Sequence, residues 1–273
     1  MNNPFKTNNL EQPTAIKIHS IYQETDNIKT FTFRHLINAK PGQFIMVWIP
    51  RIGMKPFGIS CIDQETFSIT VSQVGNFTNE LFKKKEGDYV GFMGPYGNGF
   101  TTDKKNAILV AGGYGSAPLA FLAEELKKKG TKVTLIIGAK TKDQLTYKKR
   151  FANASIKTIF CTDDGSEGEK GYTTDILKEE LQKNKPDVIY TVGPEIMMKK
   201  VIEIGDEYDI ECEASLERYM KCGFGVCGQC CIDDTGERSC KTGPVYNKEY
   251  IKKYIKEFGK YKRDGTGKKE TFL

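Results

Sequence analysis

Ala107-Ile-Leu-Val-Ala-Gly-Gly-Tyr-Gly-Ser-Ala-Pro118 is an apolar run that breaks into glycines, and a helix-forming segment follows from Leu119 to Lys129, stopped by Gly130. A short apolar run ending in glycine reads as a buried strand, and Pro118 suits the first turn of a helix, where its missing N–H costs nothing. Working outward, Lys132-Val-Thr-Leu-Ile-Ile137, Ile156-Lys-Thr-Ile-Phe160, Val188-Ile-Tyr-Thr-Val192 and Ile210-Glu-Cys-Glu-Ala214 read as further strands. Thr174 to Asn184 and Glu195 to Ile204 read as helices. This alternation predicts an α/β unit, a doubly wound parallel sheet over 102–214. In such a sheet the loops after the strands open into one crevice. Here they are Gly112-Gly113-Tyr114-Gly115, Asp163-Asp-Gly165 and Gly193-Pro194. Backbone N–H groups and a helix N-terminus favour a phosphate there, although a tight structural turn uses the same glycines. The dinucleotide fingerprint is incomplete, because Pro118 stands at its third glycine position.

Upstream the rhythm is different. Ile16-Lys-Ile-His19, Lys29-Thr-Phe-Thr-Phe-Arg34, Gln43-Phe-Ile-Met-Val-Trp-Ile49 and Phe67-Ser-Ile-Thr-Val-Ser72 are short alternating or apolar runs separated by turn residues. That pattern predicts a small antiparallel β barrel over 13–101, with one helix from Asn76 to Lys85. Lys55-Pro56-Phe57-Gly58 places a cation and an aromatic ring on a barrel strand; a surface lysine beside a core phenylalanine is the plain alternative. Val74-Gly-Asn-Phe77-Thr78 opens the helix with N–H donors and a hydroxyl, a second phosphate candidate. Gly94-Pro-Tyr-Gly-Asn-Gly-Phe100 reads as a rigid turn closing the barrel, suited to a flat ligand between domains or simply to joining them.

Near the end lies Cys222-Gly-Phe-Gly-Val-Cys227-Gly-Gln-Cys230, with Cys240 nine residues further on. C-x4-C-x2-C with a distant fourth cysteine is plant-type [2Fe–2S] spacing, and glycines let backbone N–H groups approach inorganic sulfide. Structural zinc usually takes two short C-x2–4-C pairs; a zinc-bound scaffold module remains the non-enzyme alternative. Cys231 neighbours Cys230 and is the one candidate to exchange with it. A one-electron centre implies a partner carrier elsewhere in the chain.

The 273 residues include eight cysteines and a net charge of +6. No apolar run approaches membrane-spanning length and the N-terminal residues carry no apolar signal, so a cytoplasmic, reducing compartment is expected. The charge is local: residues 247–273 hold eight Lys and one Arg against three Glu and one Asp, giving +5. This basic segment is expected to be a solvated or lightly packed terminal helix rather than a nucleic-acid binder.

Together, barrel, nucleotide fold and cysteine loop resemble the iron–sulfur electron-transfer subunit of B-type dihydroorotate dehydrogenase, within the ferredoxin–NADP reductase superfamily. The resemblance spans roughly 13–247; its most specific pieces are Thr162 to Asp175, the cluster loop and Cys240-Lys-Thr-Gly-Pro-Val-Tyr246. It implies an extension at 1–12, an FAD-binding barrel at 13–101, an NAD-binding α/β domain at 102–214, a [2Fe–2S] module at 215–246 and a basic tail at 247–273. FAD would meet Lys55, Pro56, Phe57, Gly58, Thr70, Val71, Ser72, Phe77 and Thr78. NAD(H) would meet Gly112, Gly113, Tyr114, Gly115, Gly193 and Pro194; Cys222, Cys227, Cys230 and Cys240 would hold the cluster. No side chain is needed as a general base. Relatives carry Arg-x-Tyr-Ser or Arg-Pro-x-Ser where this chain has Lys55 to Gly58, so a fork-like guanidinium becomes a point charge and a hydroxyl is lost. Where relatives commonly carry cysteine before Gly-Pro, this chain has Val192. The implied partner is an FMN-containing dihydroorotate dehydrogenase catalytic subunit in a heterotetramer, with a role in pyrimidine biosynthesis. The alternative is the small subunit of NADH-dependent ferredoxin:NADP oxidoreductase, sulfide dehydrogenase or a soluble hydrogenase.

Overall fold

The computed structural model describes residues 12–272; the expected extension at 1–12 therefore lies almost wholly outside them. Six strands close a barrel: β1 (Thr14–Thr25), β2 (Ile28–Arg34), β3 (Phe44–Ile49), β4 (Gly53–Asp63), β5 (Thr66–Ser72) and β6 (Tyr89–Tyr96), in the order β1-β2-β5-β4-β3-β6. Inward residues alternate as period-two patterning demands: Phe31, Phe33, Ile45, Val47, Phe67, Ile69 and Val71 fill the interior. Helix α1 (Asn76–Phe82) plugs it with Phe77 and Leu81.

The second unit runs β7 (Asn106–Gly112), α2 (Ser116–Lys128), β8 (Lys132–Ala139), α3 (Lys148–Asn153), β9 (Lys157–Thr162), β10 (Glu169–Lys170), α4 (Thr173–Lys183), β11 (Val188–Val192), α5 (Glu195–Glu207) and β12 (Glu211–Ser215). Strands β9-β8-β7-β11-β12 are parallel. One apolar layer lies between the sheet and α2, the other between the sheet and α4 and α5, which is the doubly wound arrangement expected. Helix α2 also lies along β4, tying the two units together; at this seam Arg150 pairs with Glu124 at 2.7 Å and donates to the Ser60 carbonyl at 2.8 Å. Among the described residues no helix is long and apolar enough to cross a membrane.

Two expectations are corrected. The parallel sheet does not end at Ala214: after α6 (Ser239–Thr242), β13 (Val245–Asn247) adds antiparallel to β12, so the cysteine segment returns into the sheet. The 247–273 segment is not a loosely packed terminal helix. It forms α7 (Lys248–Tyr254) and a hairpin of β14 (Tyr261–Arg263) and β15 (Lys269–Thr271), and Ile251, Ile255 and Phe258 are buried against the nucleotide unit. These apolar side chains supply the burial that its charge count conceals. The turn after Tyr96 joins the barrel to the cysteine segment, the plainer of its two readings. Asn98 donates its side chain to the Thr242 and Val245 carbonyls (3.0 and 2.8 Å) and accepts from Val245 N–H at 3.1 Å, so the cysteine segment occupies that backbone.

Candidate functional site

The four expected cysteines come together as two pairs. The pairs are Cys222 with Cys227 and Cys230 with Cys240, each joined by a backbone N–H to a sulfur. Cys222 Sγ accepts from the N–H groups of Val226 (3.4 Å) and Cys227 (3.5 Å), and Cys230 Sγ from Cys240 N–H at 3.4 Å. Burial opposes ionisation of Cys222, but these backbone donors win and bring its thiol to about 7. The Cys240 thiol, against a burial penalty, brings Cys230 to about 6. The same thiol interaction, with burial, raises Cys240. Gly223, Gly225 and Gly228 all have positive φ, the left-handed geometry that glycine adopts freely. Two thiolates for each of two irons is what a [2Fe–2S] cluster requires. The spacing of these four donors, three in one glycine-rich loop and one distant, fits the cluster better than the two short pairs usual for zinc.

The module sits on the barrel. Met46, Met93 and Phe44 form one apolar cluster with Met220, Cys230 and Cys240. A Cβ on Gly223 would lie 2.5 Å from Met46 Cγ, so the loop touches the barrel through bare backbone. Cys230 and Cys240 are buried at this contact while Cys227 and Val226 face outward. Cys231 is half-buried and its thiol is raised by burial.

On the outside of the barrel, Met54 to Gly58 of β4 stay half-exposed. Phe57 packs 6.0 Å from Phe77 at the start of α1. Gly58 faces Pro118 at the head of α2, where a Cβ would make an ordinary 3.6 Å contact. Lys55, Phe57, Phe77 and Pro118 thus gather a cation, two rings and a proline about one strand, side chains suited to a flat ring system with a phosphate tail. The other expected residues differ in availability. Thr78 Oγ1 accepts from Val74 and Gly75 N–H (2.9 and 3.0 Å) and so spends its hydroxyl on the helix start. Thr70 bonds Thr30 at 2.8 Å and Ser60 at 3.2 Å, and accepts from Tyr147. Val71 points into the barrel core, leaving only its backbone for a ligand, while Ser72 is half-exposed.

The crevice of the second unit is built by backbone against backbone. A Cβ on Gly115 would stand 2.3 Å from the Val192 carbonyl, one on Gly112 2.7 Å from Pro194 Cδ, and one on Gly193 2.9 Å from Gly112 N. The loops after β7 and β11 thus close on each other, with the N-terminus of α2 above them and no acidic residue in its first turn. The sheet register puts the Asp163 loop at the same edge. Tyr114 is 53% exposed and donates to Glu217 at 2.8 Å, linking this crevice to the start of the cysteine segment.

Two residues escaped the sequence reading. Arg218 is buried, paired with Glu195 at the head of α5 and with Glu257 of the C-terminal segment at 3.5 Å. Tyr219 carries Lys55 on its ring, Nζ 3.8 Å from the centroid. Both partnerships join distant positions, and no local motif signals them.

Known proteins resemble this chain over the same stretches. Residues 217–252 match the iron-sulfur cluster binding domain of dihydroorotate dehydrogenase B, and 109–203 match the oxidoreductase NAD-binding domain. A Methanocaldococcus jannaschii protein named "Probable dihydroorotate dehydrogenase B (NAD(+)), electron transfer subunit" is 48% identical over 95% of this chain and 99% of its own. A protein of the same name from Methanothermobacter thermautotrophicus is 42% identical over 94% and 97%. Among solved structures, one described as an NADH-dependent reduced ferredoxin-NADP oxidoreductase superposes with TM-score 0.78 at 31% identity, over 86% of this chain and 88% of that one. The chain belongs to the family of dihydroorotate dehydrogenase B electron transfer subunits.

Proposed function

We propose that this protein is the electron-transfer subunit of a dihydroorotate dehydrogenase, an oxidoreductase subunit passing electrons between a catalytic partner and NAD(H) through FAD and a [2Fe–2S] cluster. The observation that carries it is the pairing of Cys222 with Cys227 and Cys230 with Cys240, seated on the barrel that also presents Lys55 to Gly58. Held by Lys55, Phe57 and Phe77, FAD would supply hydride exchange with nicotinamide and one-electron exchange with the cluster.

The chain's own part is to hold and to exclude. Lys55 supplies positive charge to a cofactor phosphate, and Phe57, Phe77 and Pro118 wall the ring. The α2 N-terminus and the Gly112–Gly115 backbone accept the nicotinamide phosphates. Met46, Met93 and Phe44 keep water from the inner cysteine pair, and N–H donors to the sulfurs tune its potential. Cys227 and Val226 face outward, so electrons leave on that side, toward the partner. We take the partner to be an FMN-containing catalytic subunit in a heterotetramer of two copies each, in the cytoplasm.

The 31% identity to an NADH-dependent reduced ferredoxin-NADP oxidoreductase chain supports a second reading, the small subunit of such an enzyme. Anaerobic purification with each large subunit decides between them. Retention of a dihydroorotate-oxidising subunit, with NAD-linked but not dye-linked activity lost in Cys227→Ser, supports the first reading. Retention of only a large ferredoxin-linked flavoprotein replaces it. A colourless, zinc-containing chain would reject both.

A further inference from the structure

Lys55 is the half-exposed cation of β4. A lysine offers one point charge on four rotatable bonds and no planar fork, so something else must fix its direction. In the structure its ammonium lies over the ring of Tyr219, 3.8 Å from the centroid, and has no acidic partner among the described residues. Tyr219 belongs to the stretch entering the cysteine loop, and its ring is backed by the C-terminal hairpin. A Cβ on Gly265 would stand 2.6 Å from Tyr219 Cζ and 2.8 Å from its hydroxyl oxygen, so glycine lets the turn press flat against the ring.

That turn is itself fixed. Asp264 Oδ1 accepts from Thr266 N–H (2.8 Å), Thr266 hydroxyl (2.7 Å) and Lys268 N–H (3.0 Å). The hairpin is bolted to the cysteine module by Arg263, which donates to both oxygens of Asp233 at 2.8 Å, and by Tyr261, which donates to the same carboxylate at 2.8 Å. The brace therefore runs from Asp233 through the hairpin to Tyr219 and on to Lys55.

We infer that Tyr219, backed by the C-terminal hairpin, is the positioning residue that aims Lys55 at the phosphate end of the flavin cofactor. The ring supplies the orientation that a guanidinium carries in its own plane. This rests on the placement of FAD along β4.

The test is the rate of FAD release from the holoprotein, followed as recovery of free-flavin fluorescence after dilution. Lys55→Ala and Tyr219→Leu should each speed release, by about three- to tenfold on the scale of a cation–π contact. Tyr219→Phe, which keeps the ring, should stay near the parent. The double variant should release no faster than Lys55→Ala alone, because Tyr219 acts through Lys55. Gly265→Ala, a milder displacement of the ring, should accelerate release only while Lys55 is present, and it stands in if Tyr219→Leu fails to fold. Parental release from Tyr219→Leu beside fast release from Lys55→Ala overturns the inference, as does a double variant whose effect is the product of the singles. Parental release from Lys55→Ala overturns the placement of FAD on β4, and the inference with it.

Discussion

Glu195→Ala isolates what one buried charge pair contributes. Glu195 and Arg218 side chains are each only 4% exposed and bonded to each other, and the second Glu195 oxygen accepts from Gly259 N–H at 3.0 Å. The site has no slack: Arg218 Nε and Glu257 Oε2 have no protein partner among the described residues. Removing one partner of a buried pair costs about 3–5 kcal/mol, because the other charge stays buried. Arg218 keeps the Glu217 carbonyl at 2.8 Å and Glu257 at 3.5 Å, which points to the lower end, about 3 kcal/mol. At roughly 2–4 °C per kcal/mol for a chain of this order of size, the apparent Tm should fall by about 6–12 °C. Limited proteolysis should open first after Tyr254, since the Gly259 N–H loses its partner. The control is Glu65→Ala. Its partner Arg34 sits at 2.5 Å, but the two side chains are 68% and 64% exposed, so the cost should stay within about 1 kcal/mol. Equal shifts in the two variants, or a Glu195→Ala shift below about 2 °C, would refute the reasoning that burial rather than geometry decides.

Gly223→Ala should lower the iron-to-flavin ratio of the purified protein, because its Cβ would lie 2.5 Å from Met46 Cγ and φ is +82°; NADH should still bleach the flavin. Gly115→Ala, whose Cβ would stand 2.3 Å from the Val192 carbonyl, should raise the KM for NADH several-fold while leaving FAD content unchanged. Gly58→Ser should fold normally, since the new Cβ meets only Pro118 at 3.6 Å, and slow FAD release relative to the parent by restoring a hydroxyl. Burial lifts Cys161 to about 11 and Cys212 to about 12, so iodoacetamide at pH 8 should leave both unmodified in native protein. Because those folded values lie above the ordinary thiol range, their contribution to stability holds at neutral pH and is lost as pH rises through about 11–12; mass spectrometry of labelled peptides across that range checks it.

Residues whose partners are near in sequence were legible. The Ala107–Pro118 strand, turn and helix, the cysteine loop and five of the six barrel strands follow from local pattern, and helix ends moved by only a few residues. One barrel strand was harder to read. Gly91, Gly94 and Pro95 in β6 break the period-two signal, so its end looks like a turn. The C-terminal hairpin carried a cue in Asp264-Gly265-Thr266-Gly267, but the surrounding lysines masked it. Lys55 with Tyr219, and Glu195 with Arg218 and Glu257, join residues whose meeting only the assembled fold decides. Beside β4, local sequence marked Thr70, Val71 and Thr78, yet two of these spend their hydroxyls on protein partners and the third faces the core.

The antiparallel strand β13 sits between the cysteine segment and the nucleotide sheet, while Asn98 sews the same segment to the barrel. A redox module held on two sides has no hinge to swing on. Its electron exchange with the barrel is then a fixed-distance event rather than a diffusive search. Glycerol or sucrose that slows tethered carriers should leave the internal cluster-reduction rate of this protein where it was, and friction would register only when the partner itself arrives or departs.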